Sequence, residues 1–547
     1  MKKILAIILA LACILGLCAC GNGATSNGGE SGGDKTADGK IKLSIGMPSN
    51  AMVLSHDNNA LTRWVEEQCN VELTFIEYAG GTDVPTQIST AIAGRRELPD
   101  ILFGVDLNAS VITRYGKDEY FLDLSDYYAE KDGASKVFWD RLNNELTEAE
   151  REHIIRTITD PETGAIYGVP TIETSLIDKM RYQTWINKTW LDKLGLEIPT
   201  NNAELVKVLR AFKEKDPNGN GQADEIPLFG SQTAGAGSKV VDFLINTFVY
   251  YDSARKWLVE DGKIVPVFTQ DSYREALKFV NELYNEKLLS NVVWTCTNDN
   301  MKQIVTPSSG VAMVGVFCGH LTLHASKGNE VMYQYVPMQT WGCAVRGDIT
   351  CSLKTFITES CDNPDKAFEV LMTLFSWEGS MRVRYGEYGV NWTDPDPGAK
   401  SDLGLDATYK MLSDPLTMQN TAKWAKIASC LNVYAEGETS QVDDSTDPWT
   451  KKRSEMHAES QRLFAEAEAK NNPAEICPVI VTSEEEQQKT ETVRTNVGSY
   501  VSGSMTDFCT GKMDINDDKV WNEYLKKVND LGLETYVDYV QTAYDRG

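Results

Sequence analysis

The sequence predicts an α/β fold built as two lobes. A chain of 547 residues, 42% of them hydrophobic, can bury more core than one lobe usually holds. From Lys42 to Phe103 the strand and helix signals alternate as β-α-β-α-β, the rhythm of parallel pairing in an open sheet. Helix signals then recur to the end of the chain, and no internal repeat turns them into a solenoid.

The elements follow in order. Lys42-Leu43-Ser44-Ile45-Gly46-Met47 reads as a first strand, and a helix is expected from Asn59 to Gln68. Val71 to Ile76 alternates apolar and polar residues as a second strand. A helix from Pro85 to Ala93 leads into Leu98-Pro99-Asp100-Ile101-Leu102-Phe103. Tyr167-Gly168-Val169-Pro170 closes the first long stretch. Arg181 to Ile186 is an extended crossing segment that enters a helix containing Trp190 to Gly195. Further helices are expected at Asn201–Lys215, Ser272–Glu286, Asn363–Phe375 and Lys451–Lys470. Asp517 to Gly547 supplies a closing helical pair, split near Leu531-Gly532-Leu533.

Met1-Lys2-Lys3 and the apolar run Ile4 to Ala19 have the form of a secretory signal, short for a spanning helix, which needs roughly 20 apolar residues. Leu17-Cys18-Ala19-Cys20-Gly21 resembles a lipobox, in which cleavage leaves Cys20 as a lipidated N-terminus. Acyl chains contribute about 0.8 kcal/mol per buried CH₂, so several hold a protein at a membrane. Residues 1–19 are thus expected to be the signal. Residues 20–40, a Gly, Asn, Ser and Asp tract, are the expected flexible tether.

Formal net charge is -26. Such a surface repels nucleic-acid phosphates and anionic headgroups, which argues against nucleic-acid binding and against charge-driven membrane binding. Nine cysteines follow the leader, at 69, 296, 318, 343, 351, 361, 430, 477 and 509. Scattered, odd in number and without a C-x-x-C pair, most read as small buried hydrophobes, with one or two bridges left open.

The sharpest chemical motif is Asp216-Pro217-Asn218-Gly219-Asn220-Gly221-Gln222-Ala223-Asp224-Glu225. Oxygen side chains at loop positions one, three and five, Gly at six and an acid at nine match an EF-hand-type calcium loop. Calcium takes six to eight hard oxygen ligands, and a curling chain presents alternate residues inward. Asp216, Asn218 and Asn220 are therefore expected ligands, with Gln222 offering its backbone carbonyl. Position twelve is Pro227, which cannot supply the usual bidentate Glu. The competing reading is a solvated turn, and the ion's expected role is a structural staple.

Taken together, the order and spacing of these segments resemble the extracellular solute-binding protein family 1, in its large lipoprotein branch of alginate- and oligosaccharide-binding proteins. The carriers are Leu98-Pro99-Asp100-Ile101, Tyr167-Gly168-Val169-Pro170, Trp185 to Leu191, Ala211-Phe212-Lys213 through Glu225-Ile226-Pro227, Tyr385 to Thr393, and Ala543-Tyr544-Asp545-Arg546. The resemblance implies a periplasmic-binding-protein-like type II fold, two α/β lobes joined by hinge strands with a ligand cleft between them. It divides the chain into lobe one over 41–180, lobe two over 181–340, a return to lobe one over 341–395, and mainly lobe two over 396–547. It closes the calcium loop early on Asp224 and Glu225. It also puts an aromatic at the end of Tyr385-Gly386-Glu387-Tyr388-Gly389-Val390-Asn391-Trp392 into the cleft wall, so Trp392, Tyr388 and Asn391 are expected ligand residues. Trp294 is a second aromatic candidate by position. For most of the 12 tryptophans the alternative, a core ring with its N–H satisfied, is the better reading.

Catalytic constellations are scarce. The sequence contains no H-E-x-x-H, G-x-S-x-G or Walker loop. His320 and His324 lie four apart, but Leu321-Thr322-Leu323 suggests a strand or irregular segment between them. The expected protein is a lipid-anchored monomer on the outer face of a cell membrane. It would not be an enzyme, would deliver an oligosaccharide to an ABC transporter permease and would carry structural Ca2+. A surface-tethered glycoside-degrading enzyme, an adhesive lipoprotein and a binder of peptides or other solutes stand as alternatives.

Overall fold

A computed structural model describes residues 35–36 and 39–546, except 80–82, 175–179, 236, 325–329, 339–340, 348, 402–403, 414–418, 425–426, 433–438, 443–447 and 481. The expected signal, Cys20 and most of the tether lie outside the described residues.

Strand β1 (Ile41–Pro48) feeds helix α1 (Ala60–Cys69), which returns the chain to β2 (Val71–Tyr78). Asn59 starts α1 by accepting the Leu61 N–H, and Asn70 ends it in the left-handed conformation. Helix α2 (Val84–Ala93) precedes β3 (Ile101–Phe103), shorter than its apolar signal, and α3 (Ala109–Lys117) follows. The capping box of Thr147 and Glu150 opens α4 (Glu148–Ile158), after which β4 (Val169–Glu173) completes the first pass.

The second lobe begins with β5 (Thr184–Asn187), α5 (Asn202–Glu214), β6 (Ile226–Phe229) and α6 (Val240–Ile245). The hairpin β7 (Trp257–Glu260) and β8 (Lys263–Pro266) and helix α7 (Asp271–Asn285) lead to β9 (Val314–Cys318) and β10 (Tyr335–Pro337). The chain then re-enters lobe one through β11 (Thr350–Ile357), α8 (Pro364–Phe375) and α9 (Trp377–Tyr385). The small pair β12 (Trp392–Thr393) and β13 (Lys410–Met411) precedes β14 (Leu431–Asn432). Four helices finish the chain: α10 (Pro448–Glu468), α11 (Glu484–Cys509), α12 (Asp518–Asp530) and α13 (Leu533–Arg546).

The first sheet has the order β14-β4-β11-β3-β1-β2 and the second β10-β5-β9-β6. In the first, β11 alone runs against its neighbours. In the second, β5 runs against β9 and β10, and β6 parallels β9. This directionality locates the cleft. The chain leaves the carboxyl end of β4 and enters β5 where β9 ends; later it leaves the carboxyl end of β10 and enters β11 where β4 ends. Both crossings therefore join the carboxyl edges of the two sheets, where open α/β sheets hold their ligands. A bridge between Met180 and Arg346 pairs the two crossings.

Each lobe has its own core. The first runs from Leu43 to Phe375 along lobe one and includes Trp424, Ala428, Cys430 and Leu431. The second runs from Trp185 to Val345 and resumes at Trp449. The return to lobe two therefore falls after β14, later than the expected boundary at 396. None of the nine described cysteines is disulfide-bonded, and seven are buried, as small hydrophobes are. Among the described residues no helix is long and apolar enough to cross a membrane.

Candidate functional site

The carboxyl edge of the second sheet is assembled from loops that the strands deliver. After β6, the Gln232 N–H donates to the Val293 carbonyl at 2.7 Å, tying this loop to the turn that carries Trp294. Ser231 and Thr233 hydroxyls both donate to the Cys296 carbonyl, at 2.6 and 2.7 Å. After β9, Gly319 lets the chain pass under a ring: a Cβ there would lie 2.6 Å from His324 Nδ1 and from Met301 Cε. The Gly319 carbonyl accepts the Trp185 indole N–H at 2.8 Å.

Polar atoms screened from solvent yet without a hydrogen-bond partner gather along this edge. They include Gln232 Oε1, Trp294 Nε1, His324 Nδ1 and both ring nitrogens of His457. Native structures leave few such atoms, and each needs an explanation. Gln232 Nε2 donates to Asp242 Oδ1 at 3.2 Å, and burial pushes the Asp242 carboxyl up. Burial, reinforced by neighbouring His320, pulls His324 down to about 4 and His457 down to about 3, so both rings are neutral near pH 7. His320 and His324 flank one helical turn, Leu321–His324, where a strand or irregular segment was expected.

At the carboxyl edge of the first sheet, Glu173 pairs with Arg384 at 3.2 Å and Asp106 with Lys354 at 3.0 Å.

The structure separates the four expected ligand residues. Trp392 is 1% exposed and packs with Met381, Tyr385 and Tyr409 in a satellite core of lobe one. Its indole N–H donates to the Gly386 carbonyl at 2.9 Å, and the Trp377 and Tyr388 rings meet it edge-on. No face of this ring is open to a ligand, so the expected stacking platform is a core residue here. Asn391 is likewise spent on its turn: Oδ1 accepts the Glu387 N–H at 2.9 Å, and Nδ2 donates to Ser413 Oγ at 3.0 Å. Tyr388 is 40% exposed, with its hydroxyl donated to Asp394 at 2.8 Å. Trp294, half-buried in lobe two, keeps both a ring and a free N–H at the edge. Gln232, Asp242 and His457 were missed. Their signal is structural, since they come together only when α6, α10 and the loop after β6 pack on one edge.

The calcium loop leaves α5 and enters β6, a helix–loop–strand rather than two helices. Pro227 is the second residue of β6, which is why no ligand stands at position twelve. Asp216 Oδ1 accepts from the Gly219 and Asn220 N–H groups, and Oδ2 from Gly221. Gly221 sits at φ 75°, where a side chain is strained. Asn218 and Asn220 side chains both reach Asp224, at 3.0 Å each. Glu225 Oε1 is buried without a partner, and its carboxyl is pushed up by burial and by the charges of Asp224 and Asp216. Gln222 donates its N–H to Asn220 Oδ1. Among the described residues no three His, Cys, Asp or Glu form a ready-made metal cluster. This donor set instead mixes carboxylates, amide oxygens and backbone, which suits a hard cation.

Comparison with known proteins adds the relatives. The model of the family described as bacterial extracellular solute-binding protein matches residues 57–349. FusA, a fructooligosaccharide ABC transporter substrate-binding protein of Streptococcus pneumoniae serotype 4, is 41% identical over 138 residues, 24% of this chain and 25% of FusA. Lipoprotein LipO of Bacillus subtilis is 26% identical over 289 residues, 53% of this chain and 51% of LipO. The chain thus spans between a quarter and a half of the length of these curated relatives.

A solved HMO-binding, ABC-transporter-associated solute-binding protein of Bifidobacterium longum infantis superposes with a TM-score of 0.72. It is 21% identical, and the match covers 93% of this chain and 99% of that one. The FusA EF-hand mutant bound to fructo-nystose superposes at 0.66, with 20% identity, 92% and 99% covered. At these identities the likeness is one of fold, the two-lobe type II arrangement that the sheet order already displays.

Proposed function

The chain belongs to the bacterial extracellular solute-binding protein family, and from that premise we propose that it captures an oligosaccharide between its lobes and delivers it to ABC transporter permease subunits. The observation that carries this reading is that the crossings join the carboxyl edges of the two sheets, with unsatisfied polar groups along one of them. Hinge closure around a ligand is the motion such an arrangement permits. The relatives' names support a sugar: FusA is named for fructooligosaccharides and the Bifidobacterium protein for HMO.

In this reading the protein binds and does not transform its ligand. Cys20 carries the lipid that holds it on the extracytoplasmic face of the membrane, and the relative LipO is named a lipoprotein. The loop Asp216 to Glu225 holds structural Ca2+, a role supported by the buried, unpartnered Glu225 oxygen and by the EF-hand for which the FusA mutant is named.

Thermal melts and calorimetry against an oligosaccharide panel test the function. Saturable stabilisation, with the sugar recovered at its original length, is the expected result. Shorter sugars in the recovered material would establish a glycoside-degrading enzyme instead.

A further inference from the structure

Lobe two reaches past the crossings and lies along one flank of lobe one, with helix α4 as its track. Near the start of α4, Glu150 and His153 share a cavity of ≈ 300 Å³ with Arg346 on the second crossing and with Tyr250, Glu468 and Ile476 of lobe two. Near its end, Thr157 and Asp160 share one of ≈ 370 Å³ with Tyr167 and Leu353 of lobe one and with Val479 and Gln487 of lobe two. Close-packed interiors leave few voids of this size, so the flank is a contact that can be remade, not a fused core.

Beside the second cavity a chain of polar groups joins the lobes. Lys117, the last residue of α3, pairs with Glu162 at 2.8 Å. The Glu162 carboxylate accepts the hydroxyl of Ser483, the residue that caps α11. Glu486 completes that cap and takes the Arg546 guanidinium at 2.8 and 3.0 Å, and the Glu162 charge also bears on Arg546. An acid at a helix N-terminus is stabilised by the unpaired N–H groups and the dipole there. Helix α11 packs on α7 of lobe two and on α3 of lobe one.

Its position makes this contact sensitive to the lobe angle. Glu162 lies in the loop that enters β4 at Val169, whereas the first crossing leaves β4 at Glu173. The 5 residues of that strand hold its ends roughly 13 Å apart. A rigid-body turn of about 15°, the size of known switching rotations, moves a point that far from its axis by about 3 Å, which breaks a hydrogen bond. In the arrangement described, Arg181 Nε on the first crossing and Gln232 Oε1 at the edge are screened from solvent and unpartnered. The flank is therefore joined where the edge is still unsatisfied.

Resting on the reading of the cleft as a capture site that closes, we infer that the Glu162–Ser483 contact is a latch. It holds the lobes in the arrangement that accepts a ligand and parts when they rotate together, so it lowers the apparent affinity of the cleft from outside it. An exposed polar contact of this kind shifts such an equilibrium by about threefold.

The test is Glu162→Ala in the whole mature protein. Glu523→Ala is its control, the same change of charge at an exposed site on α12. Calorimetry with fructo-, galacto-, xylo- and manno-oligosaccharides and oligogalacturonate reads the cleft, and small-angle scattering without sugar reads the lobe angle. Glu162→Ala is expected to bind the best of these sugars about threefold tighter than the parent. Its sugar-free radius of gyration should be smaller, and about 0.5 M sodium chloride should compact the parent but not the variant. Glu523→Ala should match the parent in each. Equal affinity with equal scattering overturns the latch. Weaker binding overturns it too, because the contact would then belong to the closed form. If no sugar binds any of the three proteins, the oligosaccharide reading falls, and the sugar-free scattering alone decides the latch.

Discussion

Trp392 contributes to stability through everything its ring touches. Removing it with Trp392→Ala opens a cavity between Met381, Tyr385 and Tyr409 and leaves the Gly386 carbonyl without its donor. Large-to-small changes at buried aromatics cost about 3–5 kcal/mol. Denaturant unfolding of the variant should show a loss of that size, with ligand affinity unchanged in the folded fraction. A variant that keeps its stability and loses affinity would return Trp392 to the cleft wall. The histidines make a second prediction at this scale. His324 and His457 titrate near 4 and 3 in the fold, against an ordinary value of 6.5. Above pH 6.5 both states are neutral and nothing changes. Between 6.5 and about 4 the unfolded chain takes up protons that the fold refuses, so stability falls as pH falls, by roughly 1.4 kcal/mol per unit for each ring. Stability–pH curves of His324→Gln and His457→Gln should be flatter than the parent over that window. Equal slopes would mean that the rings are not held neutral.

At the scale of elements, the calcium loop joins α5 to β6, so an ion there would staple the edge strand of the second sheet to its helix. A ligand bound only by the fold stabilises it by about 2.7 kcal/mol at a hundred times its Kd. EDTA should therefore lower the melting temperature, calcium restore it, and Asp224→Ala remove the response to either. An Asp224→Ala protein still stabilised by calcium would place the ion elsewhere. The loop itself was legible in the sequence because its pattern is local: oxygen side chains at fixed offsets with Gly221 at the turn. Helices α1, α5, α7 and α8 were legible for the same reason, a local apolar stripe, which in α1 and α5 begins at a capping Asn. Helix α11 was not, since Gly498, Gly503 and the run Glu484 to Thr490 give it no clean stripe; packing on α7 and α13, not local pattern, makes it a helix. The cleft edge was least legible. Trp294 was named from its position, but Gln232 with Asp242 and His457 lie far from it in the chain, and only the sheet topology brings them to one edge. Trp392 was expected at the cleft and lies instead in a satellite core, because a motif places an aromatic in the chain but does not say which side of it faces solvent.

For the whole molecule, what matters is that each lobe packs its own core and that the crossings meet at the carboxyl edges of the sheets. Each core holds its own lobe rigid, so the soft degree of freedom is the angle between them. Arg346 lies on the second crossing, bridges Met180 of the first, and forks onto Glu468 of α10 beyond the third passage, so the segments that must bend are tied to one another. Such tying favours rotation of one lobe as a unit over piecemeal loop closure. Small-angle scattering should then show a single step of compaction as a bound oligosaccharide saturates, with the radius of gyration falling in proportion to occupancy. Unchanged scattering at saturation would mean that the lobes do not close, and capture would rest on the edge groups alone. Arg346→Ala unties the crossings without touching the cleft edge. It should leave the edge chemistry intact, broaden the distribution of lobe angles in the unliganded protein, and slow the formation of the closed complex. If the variant closes as sharply as the parent, the crossings act as passive tethers and the hinge stiffness must come from elsewhere.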